Sequence, residues 1–535
     1  MLGPDAAALV RGRGVHLGDL TAVLASRYGD RPAIEDPTPT PTSAAGVALV
    51  FRDLEEAVGR FAAVLRETGA GPGRRVLVVI DDRVDVALLL FALARLGAVA
   101  VPVNPRLAPA ELAAVADAAD ATAAVADTDV RDRLPSGLEV WATAELARSV
   151  ETAAPLAAAG RDPRETAVLL ATSGTTGVPK AAALSSRGLL GVLGRLAGLP
   201  VGRRSGVRGG RDLVFAALPL THVMGLSVLL ASLAAGVPLL RRSRFDASEV
   251  LELLEHRRPN VVVAVPTMYA DLESAGADAF DLSSVQLWVS SADAMPLDRA
   301  RRFQRRGAMA QVAGRAVGEA AFLDIYGMVE LSGPAAVRLL PPSPVGRLPS
   351  PPLAFALPGV RVRAVDGEGR PLSAGRSGEL QWRGSAVLRR YEGRDDPGPD
   401  GQGWFASGDV GRVWPGGLLA VSGRHRDRLK VAGFSVFPAE VEAALRDAPG
   451  VRELAVVGLP DERTGERPVA AVVPAPDFDA DRFLTWAGRQ TAGYRRPREV
   501  VTVEAIPRGN HGKIDRDAAT RLVAERRDDD ATGAP

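Results

Sequence analysis

The sequence predicts an α/β protein: a large N-terminal domain of parallel α/β sheets, a small β-rich subdomain and a smaller α+β C-terminal domain. The chain has 535 residues, which is too long for a single hydrophobic core, so two or more domains are expected. Apolar runs alternate with helical segments over residues 50–130 and again over 165–330. This alternation is typical of parallel strands covered by helices.

The first alternation contains two helices and two strands. LEEAVGRFAAVLRETGA is amphipathic, RRVLVVI is a buried-strand run, VDVALLLFALARLGA is helical, and AVAVPVN is a second strand. The second alternation has a helix after Ser185 and another in LSVLLASLAA. Its predicted buried strands are AVLLAT, LVFAALPL, NVVVAVP and VQLWVSS.

Candidate domain boundaries follow from changes along the chain in the length of the predicted strands and in the frequency of turn residues. We predict an N-terminal domain over 1–423, in which about 343–423 is β-rich with short strands such as GVRVRAV and GELQWR. Residues 424–427 lie in the basic run GRHRDR and precede a new α/β unit over 428–525. The last ten residues, 526–535, are predicted to be a disordered tail.

The composition excludes several classes of function. Apolar residues make up 47% and charged residues 24%, a globular balance, and the net charge of +1 gives no electrostatic footprint for nucleic acid. No cysteine is present, so disulfides, thiolate metal sites and a cysteine nucleophile are excluded. The apolar stretches 84–103 and 213–240 are interrupted by Arg95 and by prolines, so we expect a cytoplasmic protein without a membrane span.

Lysine is unusually rare in this chain. Of 65 basic residues three are lysine, namely Lys180, Lys430 and Lys513. A compact ammonium differs from a planar guanidinium in what it can contact, so a function that needs the ammonium explains why these three persist. The alternative, three chance survivors in an arginine-rich sequence, weakens because each lies inside a motif.

A glycine- and hydroxyl-rich loop follows the apolar run AVLLA. Glycines let backbone N–H groups wrap an anion, hydroxyls add donors and a lysine adds positive charge, which favours phosphate binding over a plain flexible turn. The spacing is not that of the P-loop. The predicted phosphate-binding residues are Thr172, Ser173, Gly174, Thr175, Thr176, Gly177 and Lys180.

The loop TSGTTGVPK resembles the signature of the adenylate-forming superfamily, and further motifs occur in family order. LPLTHVMGL, YGMVE, GWFASGDV, GRHRDRLKVAGFSVFPAEVE and PRGNHGKIDR each resemble a family segment. VPTMYADL (265–272) and VSSADAMP (289–296) resemble its adenine- and acyl-pocket strands. The resemblance spans roughly 20–525 and is greatest to the acyl-CoA synthetase or fatty-acid–CoA ligase branch of actinobacterial type.

The resemblance implies roles in forming an acyl-adenylate. Glu330 would bind Mg²⁺, Asp409 would accept hydrogen bonds from the ribose, Arg424 would support the ribose side, and Lys513 would stabilise charge at the α-phosphate. His222 is a further implied catalytic residue. The remaining implied ATP-binding residues are Ser291, Ala292, Asp293, Tyr326, Gly327, Met328 and Val329.

A second set of roles concerns the acid and the thiol. The family rotates its mobile C-terminal domain about a hinge, here residues 424–427 with Arg426 as the hinge residue, so that Lys430 replaces Lys513 at the site. Gly433 and Phe434 would line the tunnel for the thiol arm of coenzyme A. The implied acyl pocket is apolar or small apart from His222, Asp271 and Asp293, which favours a hydrophobic acid. Its members are His222, Val223, Met224, Gly225, Met268, Met295 and Leu331.

The sequence departs from the family pattern at a few positions. Val329 replaces the threonine of YGxTE, which removes a hydroxyl beside the α-phosphate, and Ser291 replaces a frequent glycine. Arg426 stands where aspartate or lysine is usual. Because Lys180 and Glu330 keep their charges, as do Asp409 and Lys513, we expect a working enzyme.

The predicted function is ATP-dependent ligation of a hydrophobic carboxylic acid to coenzyme A through acyl-AMP. ATP, Mg²⁺ and coenzyme A are the implied cofactor and substrates, and the acid belongs to fatty-acid metabolism or antibiotic biosynthesis. Two alternatives stay open: an enzyme that hands its acyl-AMP to an acyl-carrier protein or another partner, and a catalytically silent binding module of the same fold. A homodimer is an open option for assembly.

Overall fold

A computed structural model describes residues 15–532 except for short internal segments. The segments outside the description are 42, 44, 174–178, 198–211, 294, 313–314, 343–352, 394–397, 425–426, 432–433, 462–463, 492–494 and 510–512. The described chain forms two compact units. The first takes in residues up to 342, Ala354–Arg361 and Arg383–Phe405, and the second takes in Leu353, Val362–Trp382 and residues from Ala406 onward.

Helices of the first unit alternate with its strands, as the sequence predicts. Their apolar stripes face the interior: Leu54, Val58, Phe61 and Leu65 lie on one face of the helix that begins at Phe51, and all four are buried. The helices are α1 (Leu17–Tyr28), α2 (Phe51–Glu67), α3 (Val84–Leu96), α4 (Pro109–Ala119), α5 (Thr143–Thr152), α6 (Ser186–Ala197), α7 (Val223–Ala235), α8 (Ala247–Arg257), α9 (Pro266–Ser274) and α10 (Leu297–Arg306).

One sheet of the first unit has the strand order β20-β8-β7-β4-β3-β5-β6. Strands β7, β4, β3, β5 and β6 run parallel, because helices cross over between them, while β8 and β20 are antiparallel additions at one edge. The strands are β3 (Arg75–Val79), β4 (Val99–Pro102), β5 (Ala123–Ala126), β6 (Glu139–Ala142), β7 (Thr166–Ser173), β8 (Pro179–Ser185) and β20 (Tyr391–Glu392).

A second set of strands in this unit has the order β17-β16-β15-β12-β11-β9-β10-β1-β2. Its central strands β15, β12, β11, β9, β10 and β1 are parallel and are buried in a core around Trp288, Tyr269 and Phe303. The strands are β1 (Pro32–Asp36), β2 (Val47–Val50), β9 (Val214–Ala216), β10 (Leu239–Arg241), β11 (Val261–Ala264), β12 (Leu287–Ser291), β15 (Ala321–Met328), β16 (Gly333–Leu340) and β17 (Ala354–Ala356), with a hairpin of β13 (Ala310–Val312) and β14 (Arg315–Val317) beside them.

The second unit contains the short strands predicted from the turn-rich texture, followed by an α+β part. Strands β18 (Val360–Val365), β19 (Ser377–Gly384), β21 (Phe405–Trp414) and β22 (Leu418–Arg424) are neighbours in that order. The α+β part has the strands β23 (Leu429–Val431), β24 (Phe434–Val436), β25 (Val451–Asp461), β26 (Gly465–Pro474) and β27 (Glu499–Thr502) and the helices α11 (Pro438–Leu445), α12 (Ala480–Gln490) and α13 (Arg516–Thr532).

The predicted α/β class is confirmed, and three local predictions need correction. VPTMYADL, assigned to a pocket strand, forms α9, which begins at Pro266 because proline suits the first helical position. LVFAALPL is a strand only over Val214–Ala216. The tail predicted from residue 526 begins inside α13, which continues to Thr532. Within the described ranges no helix is both long and apolar enough to cross a membrane.

A buried arginine ties together four segments of the first unit. Arg241, at the end of β10, donates to Asp36 Oδ2 at 2.6 Å and to Asp82 Oδ2 at 2.8 Å. Asp82 follows β3, and its Oδ1 accepts from the Leu220 N–H at 2.9 Å. Burial raises the pKa of Asp82, which the charge of Arg241 opposes. One guanidinium therefore joins β1, the loop after β3 and the loop that leads into α7.

Replacing Arg241 with methionine should destabilise the first unit strongly. The change leaves the buried Asp36 and the half-buried Asp82 without their cation, which costs about 3–5 kcal/mol of unfolding free energy. Urea denaturation followed by fluorescence measures the loss. The matched control is Arg257→Ala, which breaks an exposed ion pair to Glu35 and should cost less than about 1 kcal/mol. Equal losses in the two variants would contradict the role given to Arg241.

Candidate nucleotide and acyl site

Glu330 lies where β15 ends and the chain reverses into β16. A short 3₁₀ helix, Val329–Leu331, makes this turn, and Ser332 closes it with a positive φ of 55°. The carboxylate of Glu330 is buried and accepts a hydrogen bond from the Tyr391 hydroxyl at 3.0 Å. Its backbone carbonyl accepts from the Leu388 N–H at 2.7 Å. The predicted metal-binding carboxylate is thus fixed at both its backbone and its side chain.

Lys180 lies near the start of β8 and contacts the same tyrosine. Its Nζ is 5.2 Å from the centroid of the Tyr391 ring, within reach of a cation–π interaction. Tyr391 is on β20, opposite Ala182 of β8. The structure therefore brings Lys180 and Glu330 to one aromatic side chain that sequence reasoning missed. The signal was present in Arg390-Tyr391-Glu392, an aromatic between opposite charges, but nothing local marks its partners.

The centre of the predicted phosphate loop lies outside the described residues. Gly174, Thr175, Thr176 and Gly177 belong to that segment, so their assignment stays a prediction. The two ends are described: Thr172 is in register with Lys180, and the backbone of Ser173 is in register with Pro179. An antiparallel strand pair thus carries the loop, with Lys180 on its returning strand.

The end of β12 has two buried hydroxyls and one unusual backbone conformation. The Oγ atoms of Ser290 and Ser291 are buried and have no hydrogen-bond partner among the described residues. Ala292 has a φ of 77°, in the left-handed region that disfavours a side chain. Buried polar atoms ordinarily have partners, so these hydroxyls are available to a bound molecule. The predicted nucleotide-binding segment 291–293 begins at the last residue of this strand.

The predicted YGMV segment continues this region on the neighbouring strand. Tyr326 and Met328 are half-buried in β15, which pairs in parallel with β12. Gly327 approaches β16 so closely that a Cβ there would lie 2.4 Å from the Gly333 carbonyl oxygen. The glycine of the motif is therefore required by packing between strands, independently of any ligand.

A half-buried ion pair beside these residues was also missed from the sequence. Asp324 of β15 accepts from Arg338 of β16 at 2.6 Å, and the two residues are in register. Arg338 also donates to the Met295 carbonyl oxygen at 2.5 Å. Burial raises the pKa of Asp324 to about 6, the charge of Arg338 lowers it, and Asp293 raises it further. A charged pair therefore borders a region that the sequence marked as apolar.

The predicted acyl-pocket residues divide into buried and half-buried groups. Met295, Leu331, Val223 and Gly225 are buried. A Cβ at Gly225 would lie 2.1 Å from the Pro219 carbonyl oxygen, so the glycine lets α7 pack against the preceding loop. The predicted lining residues that are half-buried, and so remain reachable, are His222, Met224 and Met268.

In the second unit, Asp409 and Arg424 form an ion pair. They are in register on β21 and β22, and Arg424 Nε lies 3.1 Å from Asp409 Oδ1. Asp409 is buried, and its backbone N–H donates to Ser407 Oγ at 3.3 Å. A carboxylate held in this way is oriented before any ligand binds. The sequence assigned both residues to one side of the ribose, which is consistent with their contact.

The remaining predictions concern the C-terminal α+β part. Lys430 is on β23 in register with Ser435, and Phe434 begins β24. Lys513 is exposed, and its carbonyl oxygen accepts from the Gly509 N–H at 2.9 Å. The predicted hinge residue Arg426 and the predicted tunnel residue Gly433 lie outside the described residues, so both assignments stay predictions.

The acidic side chains suit one kind of metal site better than others. In the described part of the chain, no three His, Cys, Asp or Glu side chains are grouped so as to hold a metal ion by themselves. Mg²⁺ commonly binds through one or two carboxylates together with substrate phosphates and water. Glu330, a single buried carboxylate with one oxygen engaged by Tyr391, fits that mode.

The chain resembles known enzymes over nearly its whole length. A family model described as AMP-binding enzyme matches residues 22–392, and one described as AMP-binding enzyme C-terminal domain matches 440–513. A feruloyl-CoA synthase from Amycolatopsis is 32% identical, covering 90% of this chain and 96% of that protein. A long-chain-fatty-acid–CoA ligase from Mycobacterium tuberculosis is 28% identical, covering 88% and 92%. ATP-bound MatB from Rhodopseudomonas palustris superposes with a TM-score of 0.80 at 27% identity, covering 96% and 99%.

Stability near neutral pH should depend on the protonation of Asp324. Its folded pKa of about 6 is above the ordinary value of 3.8, so the folded state takes up the proton first as pH falls. Wild type should therefore gain about 1 kcal/mol of unfolding free energy relative to Asp324→Asn between pH 7 and pH 5. Urea denaturation at both pH values measures this difference.

Arg338→Met provides the matching test of cause. Removing the cation takes away the influence that lowers the pKa of Asp324, so the pH-dependent gain should begin at a higher pH than in wild type. Parallel stability curves for wild type and Asp324→Asn from pH 7 to pH 5 would show that Asp324 does not titrate in this range.

Proposed function

Because the chain belongs to the AMP-binding enzyme family, we propose that it is an ATP-dependent acid–CoA ligase that forms an acyl-AMP and then an acyl thioester. The observation that carries the proposal is the joint contact of Tyr391 with Glu330 and Lys180. It brings together the cation that we propose binds the phosphates and the carboxylate that we propose binds Mg²⁺. The two family models match residues 22–392 and 440–513. We therefore propose residues from both ranges for the two half-reactions.

In the first half-reaction a carboxylate oxygen of the acid attacks the α-phosphorus of ATP. The bond from that phosphorus to the bridging oxygen breaks, and pyrophosphate leaves. Such a step needs positioning and charge neutralisation more than covalent help. Lys180 and the hydroxyl-rich loop hold the leaving phosphates, Lys513 stabilises charge at the α-phosphate, and Asp409 with Arg424 orients the ribose. Mg²⁺, when bound at Glu330, supplies further neutralisation of phosphate charge.

In the second half-reaction a thiol sulfur attacks the acyl carbon and AMP leaves. The chain has no cysteine, so the sulfur must come from a substrate, and coenzyme A is the thiol named for the relatives above. We assign Lys430 to this step, Gly433 and Phe434 to passage of the thiol arm, and Arg426 to the hinge. Each lysine of the chain then serves one purpose, in phosphate binding, adenylation or thioester formation.

The acid is proposed to be hydrophobic, with the aryl or fatty nature of its tail left to experiment. The relatives include enzymes named for feruloyl and for long-chain fatty acyl groups. The half-buried Met224 and Met268 supply an adaptable apolar surface. Ser290 and Ser291 add two buried hydroxyls for a polar atom of the bound acyl-adenylate.

The direct test supplies pure protein with Mg-ATP and a panel of fatty, aryl and terpenoid acids, with and without coenzyme A. We expect one acid class to give acyl-CoA, detected by mass, only when coenzyme A is present. Acyl-AMP that accumulates regardless of coenzyme A would instead indicate a carrier protein or separate partner as acceptor. Absence of both products across the panel would overturn the ligase assignment in favour of a binding module.

Substituting the two C-terminal lysines should separate the half-reactions. Lys513→Ala should slow acyl-AMP formation by about a hundredfold, because it removes charge stabilisation at the α-phosphate. It should leave thioester formation from supplied acyl-AMP nearly intact, and Lys430→Ala should do the reverse. Rapid-quench measurement of each half-reaction tests this.

The control for that pair is Arg428→Ala, which removes a neighbouring positive charge assigned to neither step. Both of its rates should stay within about twofold of wild type, because neither half-reaction is assigned a contact with this half-buried side chain. If each lysine variant slowed both half-reactions equally, the assignment of Lys513 to adenylation and Lys430 to thioester formation would be wrong.

A further inference from the structure

Strand β20 consists of two residues and carries opposite chemistry on its two faces. Successive strand side chains point to opposite faces of a sheet, so Tyr391 and Glu392 face opposite ways. Tyr391 contacts Glu330 and Lys180, whereas Glu392 faces away from them. A two-residue strand has few backbone hydrogen bonds, so side-chain contacts on its reverse face contribute to its position.

The reverse face is held by ion pairs centred on Glu392. Its buried carboxylate accepts from Arg75 at 3.0 Å and from Arg390 at 2.7 Å. Arg75 lies at the start of β3 and is itself fixed by Asp120 at 2.7 Å. Arg390 is largely exposed, so Arg75 provides the more rigid anchor. The Arg75–Glu392 ion pair connects β20, at the sheet edge, to β3 in the sheet interior.

Apolar packing does not hold β20 in place on this face. A cavity of about 240 Å³ lies on this face, and Arg75, Arg161, Glu165, Arg390 and Glu392 are among its lining residues. Apolar side chains therefore do not fill the space behind β20. Without Arg75, the Glu392 carboxylate would keep one exposed partner, and β20 would be free to shift toward the cavity.

We propose that Arg75 is a positioning residue for the Mg-ATP site, acting through Glu392 and β20 on the hydroxyl of Tyr391. This inference rests on the proposed function, because that assigns Glu330 to the metal and Lys180 to the phosphates. Arg75 touches neither. Its effect is to keep the Tyr391 hydroxyl within hydrogen-bond distance of Glu330.

The test measures binding of an α,β-methylene analogue of ATP by calorimetry, with and without Mg²⁺, so turnover is not needed. Arg75→Ala should weaken Mg-dependent binding about tenfold, the scale of one lost hydrogen bond to a charged group. Tyr391→Phe should weaken it similarly. The double variant should be no weaker than Tyr391→Phe alone, because both changes remove the same contact. Arg75→Lys should restore part of the affinity.

Arg74→Ala is the matched control. Arg74 precedes Arg75, is about equally exposed and pairs with Glu139 instead, so it removes the same charge without touching β20. Its binding should stay within about twofold of wild type. Glu392→Gln provides a second route if Arg75→Ala does not fold, since it keeps the side-chain shape but weakens both ion pairs, and it should reproduce the Mg-dependent loss.

Two results would overturn the proposal. One is wild-type affinity in Arg75→Ala and Glu392→Gln while Tyr391→Phe is impaired. The other is an additive loss in the double variant, which would make Arg75 independent of Tyr391. Failure of the proposed function is a different result: wild type itself would then bind the analogue without dependence on Mg²⁺.

Discussion

The charge balance around Arg241 is the constraint on which much of the first unit depends. Asp36, which is buried, and Asp82, which is half-buried, both pair with one guanidinium, and removing a carboxylate from water without such a partner is costly. Through Asp82 the same cluster fixes the Leu220 N–H, two residues before His222. The entry to α7, and with it the proposed acyl pocket, is therefore determined by electrostatics in the sheet interior.

The proposed nucleotide site is held in a comparable way. Glu330 does not lie free at the end of a strand, because its backbone and side chain each have a partner from residues 388–391. Lys180 reaches the same segment from β8. The assembled site therefore depends on a short edge strand, and the stability of that strand depends on the ion pairs behind it. Catalytic geometry and packing are not separable here.

Many helices and strands could be predicted because the spacing of apolar residues within each segment indicates its secondary structure. The apolar run at β3 and the amphipathic pattern of α2 need no distant partner to be recognised. Glu330 and Lys180 could be selected as candidate site residues because family motifs surround them, and the structure shows that both contact Tyr391. Tyr391 could not, since its contact with Glu330 joins residues 61 positions apart. The pairing of Asp324 with Arg338 could not be predicted either, because a charged residue in one strand does not indicate which residue of the adjacent strand lies opposite it.

The left-handed backbone at Ala292 bears on how this protein can vary. A side chain in that conformation carries strain of about 1–3 kcal/mol, which the surrounding structure must offset. Glycine would relieve it, whereas a β-branched residue would add to it. Drift at this position is therefore disfavoured toward β-branched and bulky side chains. A library that varies the residues around the end of β12 would lose fewest members to misfolding by holding Ala292 as alanine or glycine.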